Sequence, residues 1–469
     1  MHKLISFRVR IFEYNLLLPL PAGNTLLRLL HNQLGILIAP FIFIAALTGF
    51  LYALTPQAEN FIYKEQLVAE HSPQQKILPL SQQVSSALTV LPTNAKIFAV
   101  RTPITPEHTT RILYQLPHQA NITKAIFINP YNLNVQGQLP VYGTSGVLPL
   151  RIFLDELHRS LLLGEYGRVY SEFAASWLGV FALTGLIQWW NYRKKNKRVH
   201  SRHLNIKWHY IIGLTVLPML FFFSITGLTW SKWTGANIAE LRHLLNSDTP
   251  SLNLALTSTT LNAIDPHAEH HMHIDMSDQR VSNTLNLKDF DYILAIAYQN
   301  GLSAQALQIK PSYRTDRAWS IEEMDHRWPI QIDALAVGMQ NYNIVDHLRF
   351  DDFPLSAKLT RWGVDLHIGV LFGLVNQLIL VFSAGMILLL LVFSYRAWWT
   401  YQRPLHTLQR FNQELWREWN ICTRFQKIIY ISIFIGLYFL VPVWAISVIL
   451  LQLTVILIHY LSSWFGKHS

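Results

Sequence analysis

Four long runs of apolar residues constrain this 469-residue chain more than any other feature. The runs cover 34–54, 173–192, 211–230 and 368–395. Each is long enough to cross a hydrocarbon layer of about 30 Å as a helix, which takes roughly 20 residues. Only 14% of the residues are charged, whereas soluble domains average about 25%. The sequence therefore predicts a polytopic α-helical membrane protein and excludes a single soluble globule.

A further apolar stretch near the C-terminus leaves the number of spans open. Residues 428–465 are interrupted by Pro442 and fit one or two helices, so five or six spans are compatible with the sequence. The first run has basic residues before it but no small-residue cleavage site, which indicates an uncleaved span. The predicted order is a cytoplasmic N-terminus (1–30), a first span (31–55), a first external domain (56–157), a second span (158–192), a basic loop (193–207), a third span (208–230), a second external domain (231–366), a fourth span (367–400), a cytoplasmic connection (401–427) and the C-terminal stretch (428–465).

Lysine and arginine in the short loops predict the orientation of the spans. The loop 193–207 is rich in both and contains no acidic residue, so we place it in the cytoplasm together with the N-terminus. The two long segments then lie in the periplasm of a bacterial inner membrane. The net charge of +10 is attributed to membrane ends and anionic lipid, not to nucleic-acid binding.

Each long external segment predicts a small α+β module. The first contains the helix-like LSQQVSSAL, followed by AKIFAVRTP and AIFINPYNLNVQGQL, which alternate like strands around a turn. The second contains the helix-like KDFDYILAIAYQNGL, followed by the strand-like AQALQIKP, AWSIEEM and PIQIDALA. The second module has an insertion near 246–285 that the first lacks.

Self-comparison of the sequence predicts an internal duplication of a span–domain–span unit. Five residues around the first span recur at one constant spacing around the third: His31, Gly35, Pro40, Thr48 and Gly49 match His209, Gly213, Pro218, Thr226 and Gly227. The second and fourth spans match in the same manner, with His158, Gly164 and the Trp189-Trp190 pair corresponding to His367, Gly373 and the Trp398-Trp399 pair.

The repeat places one histidine at the start of each of the four spans, namely His31, His158, His209 and His367. Consecutive spans alternate in direction, which predicts His31 with His209 at the cytoplasmic face and His158 with His367 at the external face. Ionisable residues at membrane depth are costly and usually functional. Two facing imidazoles make an axial pair for haem iron, so the pattern predicts two b-type haems, one in each leaflet.

The haem hypothesis also concerns candidate propionate partners, a competing ligand and the paired tryptophans. Arg159, Arg168 and Arg361 are candidates to neutralise haem propionates. A single histidine at a helix end is more often an interfacial or capping residue, and the argument therefore depends on the four equivalent positions. His203, six residues before His209, competes with it as a ligand. The paired tryptophans are typical of interfacial anchors.

The sequence resembles the PepSY-associated transmembrane proteins, a family that includes PiuB-like iron-regulated membrane proteins and ferric-siderophore reductases. The resemblance rests on His31-x-x-x-Gly35 followed by LTGFLYAL, on LHRSLLLG at 157–164 and on DLHIGVLFG at 365–373. IFINPYNLNVQGQ resembles the end of a PepSY module, and RFDDFPLSAKLTRWGVDLHIGVLFG resembles the family's entry into the fourth span. The similarity extends over about residues 28–400 and implies two periplasmic PepSY-like domains.

The resemblance implies reduction of a ferric siderophore on the periplasmic side, with electrons carried by membrane haem. The four histidines named above are the positions that it carries over as haem ligands. The cytoplasmic loops are too short for a flavin domain, and no dinucleotide-binding fingerprint is present. The electron donor would then be a cytoplasmic flavin or reductase, or quinol.

Two alternatives stay open at this stage. The first is a non-enzymatic PepSY membrane module that binds a peptide or metal for regulation. The second is a metal permease that captures its ion with a His-rich segment. That segment holds His267, His270, His271 and His273, and it is a candidate site for an additional metal ion.

Overall fold

The four long apolar runs form four helices that are long and apolar enough to cross a membrane, as predicted. The computed structural model describes residues 27–28, 30–116, 123–142, 147–195, 204–256, 285–401 and 407–465. Within these ranges the candidate spans are Leu30–Ala53, Gly164–Asn191, Leu204–Thr229 and Gly373–Thr400.

The helices follow one another in this order, after a π-helical turn at Leu30–Leu34: α1 (Gly35–Ala53), α2 (Thr55–Ile62), α3 (Lys64–Leu67), α4 (Leu80–Leu88), α5 (Pro149–Ser160), α6 (Gly164–Lys195), α7 (Leu204–Thr229), α8 (Trp233–Leu244), α9 (Lys288–Gln299), α10 (Leu355–His367), α11 (Gly373–Tyr401), α12 (Thr407–Ile421), α13 (Arg424–Leu440) and α14 (Pro442–Phe465). The strands are β1 (Lys96–Arg101), β2 (Thr110–Gln115), β3 (Thr123–Ile128), β4 (Val135–Val141), β5 (Leu307–Lys310), β6 (Trp319–Glu323), β7 (Ala334–Gly338) and β8 (Asn343–Leu348).

The four spanning helices form a bundle in which α1 and α7 are separated by the other two. Helix α6 packs against both α1 and α7, and α11 packs against the same two helices from the other side. The bundle is hydrophobic along its centre, where Ile38, Trp177, Val216 and Ile387 are buried. Because each helix satisfies its own backbone hydrogen bonds, only apolar side chains need to meet in this core.

Two helices, α13 and α14, occupy the last apolar stretch, and Pro442 is the first residue of the second one. Helix α14 packs against α6, where the indole of Trp177 donates to the hydroxyl of Ser447 at 3.0 Å. Within the described residues, 442–457 is apolar but shorter than the four spans. The choice between five and six spans therefore stays a prediction.

The two external segments share a single sheet, whereas the sequence suggested two separate domains. Its eight strands run in the order β4-β3-β2-β1-β5-β6-β7-β8, and each neighbouring pair is antiparallel. Strands β1 and β5 join the halves by pairing Val100 with Ile309 and Arg101 with Gln308. Helices α4 and α9 cover one face and pack with both halves into one core. The internal duplication itself stays a prediction.

The histidine-bearing helices on the sheet side differ from the predicted spans. His158 lies on α5 and His367 ends α10, so neither residue belongs to the spanning helix that follows. The chain turns before α6 through Leu161 and Leu162, with φ of 53° and 61°. Before α11 it turns through Gly369, with φ of 84°. Left-handed backbone ends a helix, so α5 and α10 are elements distinct from the spans.

A buried ion pair holds α5 against the segment that follows the first span. Glu59 on α2 is 4% exposed. Its carboxylate accepts the backbone N–H of Arg151 at 2.9 Å and pairs with the Arg151 guanidinium at 3.2 Å. The N–H belongs to the first turn of α5, where unpaired donors attract a carboxylate. Glu59 thereby fixes the helix that carries His158.

The Ile309→Ala substitution tests whether the two halves of the sheet are coupled. Ile309 is fully buried at the junction, and removing its side chain should cost about 2–5 kcal/mol. We expect hydrogen exchange to lose protection in β1 as well as in β5. Ile344→Ala on the edge strand, where Ile344 is 40% exposed, is the matched control and should change stability by less than about 0.5 kcal/mol. Unchanged protection in β1 would mean that the halves open independently.

The Glu59 carboxyl predicts a pH dependence of stability. Burial raises the pKa of Glu59, although the Arg151 guanidinium opposes the shift. An acid with a raised pKa in the folded state stabilises the fold most at low pH. This contribution is lost as the pH rises from about 4.3, the unfolded value, through the raised folded value. Relative to Glu59→Gln, the wild-type melting temperature should therefore fall across this window. A difference that is flat or rises with pH would contradict this assignment.

Candidate haem-binding site

His31 and His209 face each other at the end of the bundle that lies away from the sheet. Their ring centroids are 6.1 Å apart, and the ring planes are inclined by 78°. Two imidazoles bound to opposite sides of one metal through bonds of about 2 Å have centroids roughly 6 Å apart. We call His31 and His209 the distal pair, because they lie at the end of the bundle far from the sheet. The separation of their rings therefore matches that of two axial ligands of one iron.

A cavity of about 290 Å³ surrounds the distal pair and is lined by α1, α6, α7 and α11. Its walls are mostly apolar, and Gly35, Gly185 and Gly213 form part of them. A Cβ atom on Gly185 would lie 3.0 Å from Cε1 of His31, which is closer than real Cβ atoms ordinarily approach. A larger residue at this position would push the His31 ring away from α6 by a few tenths of an ångström.

A buried amide supplies a polar contact in this otherwise apolar cavity. Gln188 lines the cavity, and its Nε2 is buried without a hydrogen-bond partner in the structure. A buried donor without a partner is costly, so a bound group with an acceptor oxygen would stabilise it. Two opposed imidazoles, glycine walls and a free amide donor fit haem, a flat macrocycle with carboxylate arms.

His158 and His367 form the second pair, at the sheet end of the bundle. His158 hydrogen-bonds with Thr48 on α1, and His367 hydrogen-bonds with Thr226 on α7, so each ring contacts a spanning helix. Gly49 lies against His158, and a Cβ there would make an ordinary contact at 3.4 Å from Cε1 of the ring. Phe223 contacts His367 edge-on, with ring centroids 5.5 Å apart. The structure thus places His31 beside His209 at one end of the bundle, and His158 and His367 at the other end. The role of either pair as axial ligands stays a prediction.

Each of the four histidines hydrogen-bonds through Nδ1 to a hydroxyl on a neighbouring helix. The distances are 3.0 Å for His31 with Thr184, 2.9 Å for His209 with Ser394, 2.8 Å for His158 with Thr48 and 2.7 Å for His367 with Thr226. Sequence reasoning included Thr48 and Thr226 in the repeat without a role and missed Thr184 and Ser394. The sequence did contain a signal for Thr184, because the Thr-Gly dipeptide at 48–49 and 226–227 also occurs at 184–185.

The three arginines proposed as propionate partners already have partners in the protein. Arg159 pairs with Glu156 beside His158, and Arg361 pairs with Asp365 at 3.1 Å and also contacts His326. Arg168 donates to the backbone carbonyl of Trp230 at 3.4 Å. All three arginines are on α5, α6 or α10 at the sheet end of the bundle. Their role toward a propionate stays a prediction.

The sequence also singled out the paired tryptophans, His203 and the His-rich segment. Trp189 and Trp398 line the distal cavity, while Trp190 and Trp399 are exposed. His203 and the His-rich segment with His267, His270, His271 and His273 lie outside the described residues. Within the part of the chain that the structure describes, no cluster of three or more His, Cys, Asp or Glu side chains could hold a metal ion.

Comparison with known families agrees with this architecture. The family model described as the PepSY-associated TM region matches residues 28–400. The match contains all four histidines, all four spans and the complete sheet. No curated protein matches the chain. Because the match extends over most of its length, this membrane protein belongs to the PepSY-associated TM region family.

Proposed function

We propose that the protein is a di-haem reductase of the bacterial inner membrane that passes electrons to a ferric siderophore in the periplasm. The observation that supports the proposal most is the opposed His31–His209 pair, with centroids 6.1 Å apart inside a glycine-walled cavity. The second pair, His158 and His367, lies at the opposite end of the same bundle. Two such sites would give electrons a path between the two faces of the membrane.

The chain's own residues would bind and orient the two haems. His31 and His209 would hold one iron, and His158 and His367 would hold the other, each through Nε2. Bound haem supplies one-electron chemistry with little change of shape. The apolar walls around the distal pair, such as Leu217 and Ile387, would exclude water from the site.

In this proposal the ferric chelate binds at the sheet end of the bundle. Trp328 is 56% exposed, and its backbone N–H donates to the backbone carbonyl of Leu371 at 2.7 Å, in the turn that follows His367. Its ring packs on Trp362 and Phe372. Arg327 beside it is exposed, and its guanidinium pairs with Asp325 at 2.8 Å. Aromatic faces and a cation suit a catecholate or hydroxamate complex. Siderophores hold iron(III) through hard oxygen donors, and iron(II) binds these donors less tightly, so one-electron reduction releases the metal.

The electron source would act at the distal end. The cavity beside His31 is also lined by Trp189 and Trp398, which lie toward the ends of α6 and α11. A cytoplasmic flavin or reductase, or quinol, would deliver electrons there. The basic loop 193–207 next to α6 accords with the predicted cytoplasmic side.

The haem content of histidine variants tests the proposed binding sites. Purified wild-type protein should contain two b-type haems per chain, measured as the pyridine haemochrome. His31→Ala and His367→Ala should each lose one haem, and the double variant should lose both, because each removes an axial ligand of a different pair. His243→Ala is the control, since His243 is exposed and pairs with Asp248. Wild-type protein that is purified without haem, from cells supplied with it, would refute the proposal.

Reduction by reconstituted protein separates the reductase from the non-enzymatic alternative. The protein is reconstituted in liposomes with its sheet end outward and with dithionite inside. A ferric hydroxamate and a ferrous-iron chelator are added outside. Wild-type protein should then generate external iron(II). His158→Ala should reduce the initial rate at least tenfold, while His243→Ala keeps it. Equal rates for wild-type and His158→Ala protein would favour a module that binds a peptide or metal without transferring electrons.

A further inference from the structure

The hydroxyls that contact the four histidines share one hydrogen-bond arrangement. Each hydroxyl donates its proton to the carbonyl four residues earlier on its own helix. The distances are 2.8 Å for Thr48 with Ile44, 2.8 Å for Thr184 with Val180, 2.7 Å for Thr226 with Phe222 and 2.7 Å for Ser394 with Leu390. A carbonyl oxygen can only accept, so the single proton of each hydroxyl is already committed.

A hydroxyl whose proton is committed can only accept from the imidazole. With its proton on the carbonyl, each hydroxyl accepts the hydrogen bond from Nδ1–H of its histidine. A neutral imidazole carries one ring proton, and the proton on Nδ1 leaves a lone pair on Nε2. The arrangement holds all four rings in the tautomer that presents Nε2 to a metal.

The positions of these hydroxyls favour a specific role over ordinary helix packing. They lie on four different helices, and Thr48 and Thr184 are only 3% and 4% exposed. Valine has nearly the same shape as threonine and would fill these apolar sites without a polar group. Metal-binding histidines almost always donate their second ring N–H to a fixed acceptor, which sets the ring orientation and the basicity of the ligand.

We propose that Thr48, Thr184, Thr226 and Ser394 are positioning residues that fix the tautomer and orientation of the four histidines and tune the reduction potential of the groups they bind. The inference rests on the proposed haem function and assigns the residues that act through the ligands. A hydroxyl is a weak acceptor compared with a carboxylate, so it gives the imidazole little anionic character. Its removal should shift the potential of the bound haem in the positive direction, since the ferric state loses stabilisation.

The Thr184→Val substitution tests the inference at the distal pair, and Thr48→Val tests it at the sheet end. Each should lower the affinity of one site for haem by about 10- to 100-fold. The haem that remains bound at that site should have a more positive midpoint in a redox titration of the reduced α-band. Thr184→Ser and Thr48→Ser keep the hydroxyl and lose only the methyl group, so both should retain the wild-type haem content and midpoint.

Thr215→Val is the matched control for the loss of a helical hydroxyl. Thr215 lies on α7, is exposed, and donates to the carbonyl of Ile211 at 2.9 Å in the same local arrangement. Wild-type behaviour of Thr184→Val and Thr48→Val would overturn the inference and leave the haem proposal intact. Equal losses in the serine and valine variants would also overturn it, because the methyl group would then be responsible. Wild-type protein without haem would overturn both proposals.

Discussion

An imidazole inside an apolar helix bundle needs a hydrogen-bond partner for its N–H, and this requirement applies at four contacts between helices in this bundle. A buried donor without a partner costs about 1–3 kcal/mol. Each histidine meets the requirement with a hydroxyl on an adjacent helix, within 3.0 Å. The hydroxyls in turn depend on their own helices for a fixed orientation. At each histidine, the contact between two helices therefore depends on a directional hydrogen bond as well as on apolar packing.

The shared sheet imposes a second constraint, on the sheet end of the bundle. The chain leaves the first span through α2, which holds α5 and His158 through Glu59. The second half enters α10 and His367 after β8. Because β1 pairs with β5, the two segments that carry these histidines belong to one folded unit. The coupling ties two histidines that are far apart in sequence to the same sheet.

Much of the local structure could be predicted from the sequence. The stretch LSQQVSSAL forms α4 over the expected residues, and the strands β1, β5 and β6 lie within the predicted segments. Strands β2 and β8 were missed. Strand β8 is an edge strand, and its exposed first half lacks clear alternation. The junction between Val100 and Ile309 depends on packing between distant residues, which periodicity does not reveal.

The candidate site was predictable only in part, for similar reasons. The repeat identified the four histidines, because constant spacing does not require any knowledge of the fold. It missed Thr184 and Ser394, because the hydroxyl on α6 and that on α11 are not at equivalent repeat positions. The break between α5 and α6 was also missed. The leucines at 161–163 are as apolar as a span, and the left-handed backbone of Leu161 and Leu162 ends the helix.

Electron paramagnetic resonance of the oxidised protein tests the central claim most directly. Opposed imidazoles give a low-spin ferric iron, and the 78° between the His31 and His209 planes predicts a strongly anisotropic signal for the distal site. Two low-spin ferric species, one of them with this anisotropy, are the expected result. A spectrum with only high-spin iron, or with no haem signal, would contradict the assignment of paired histidine ligands.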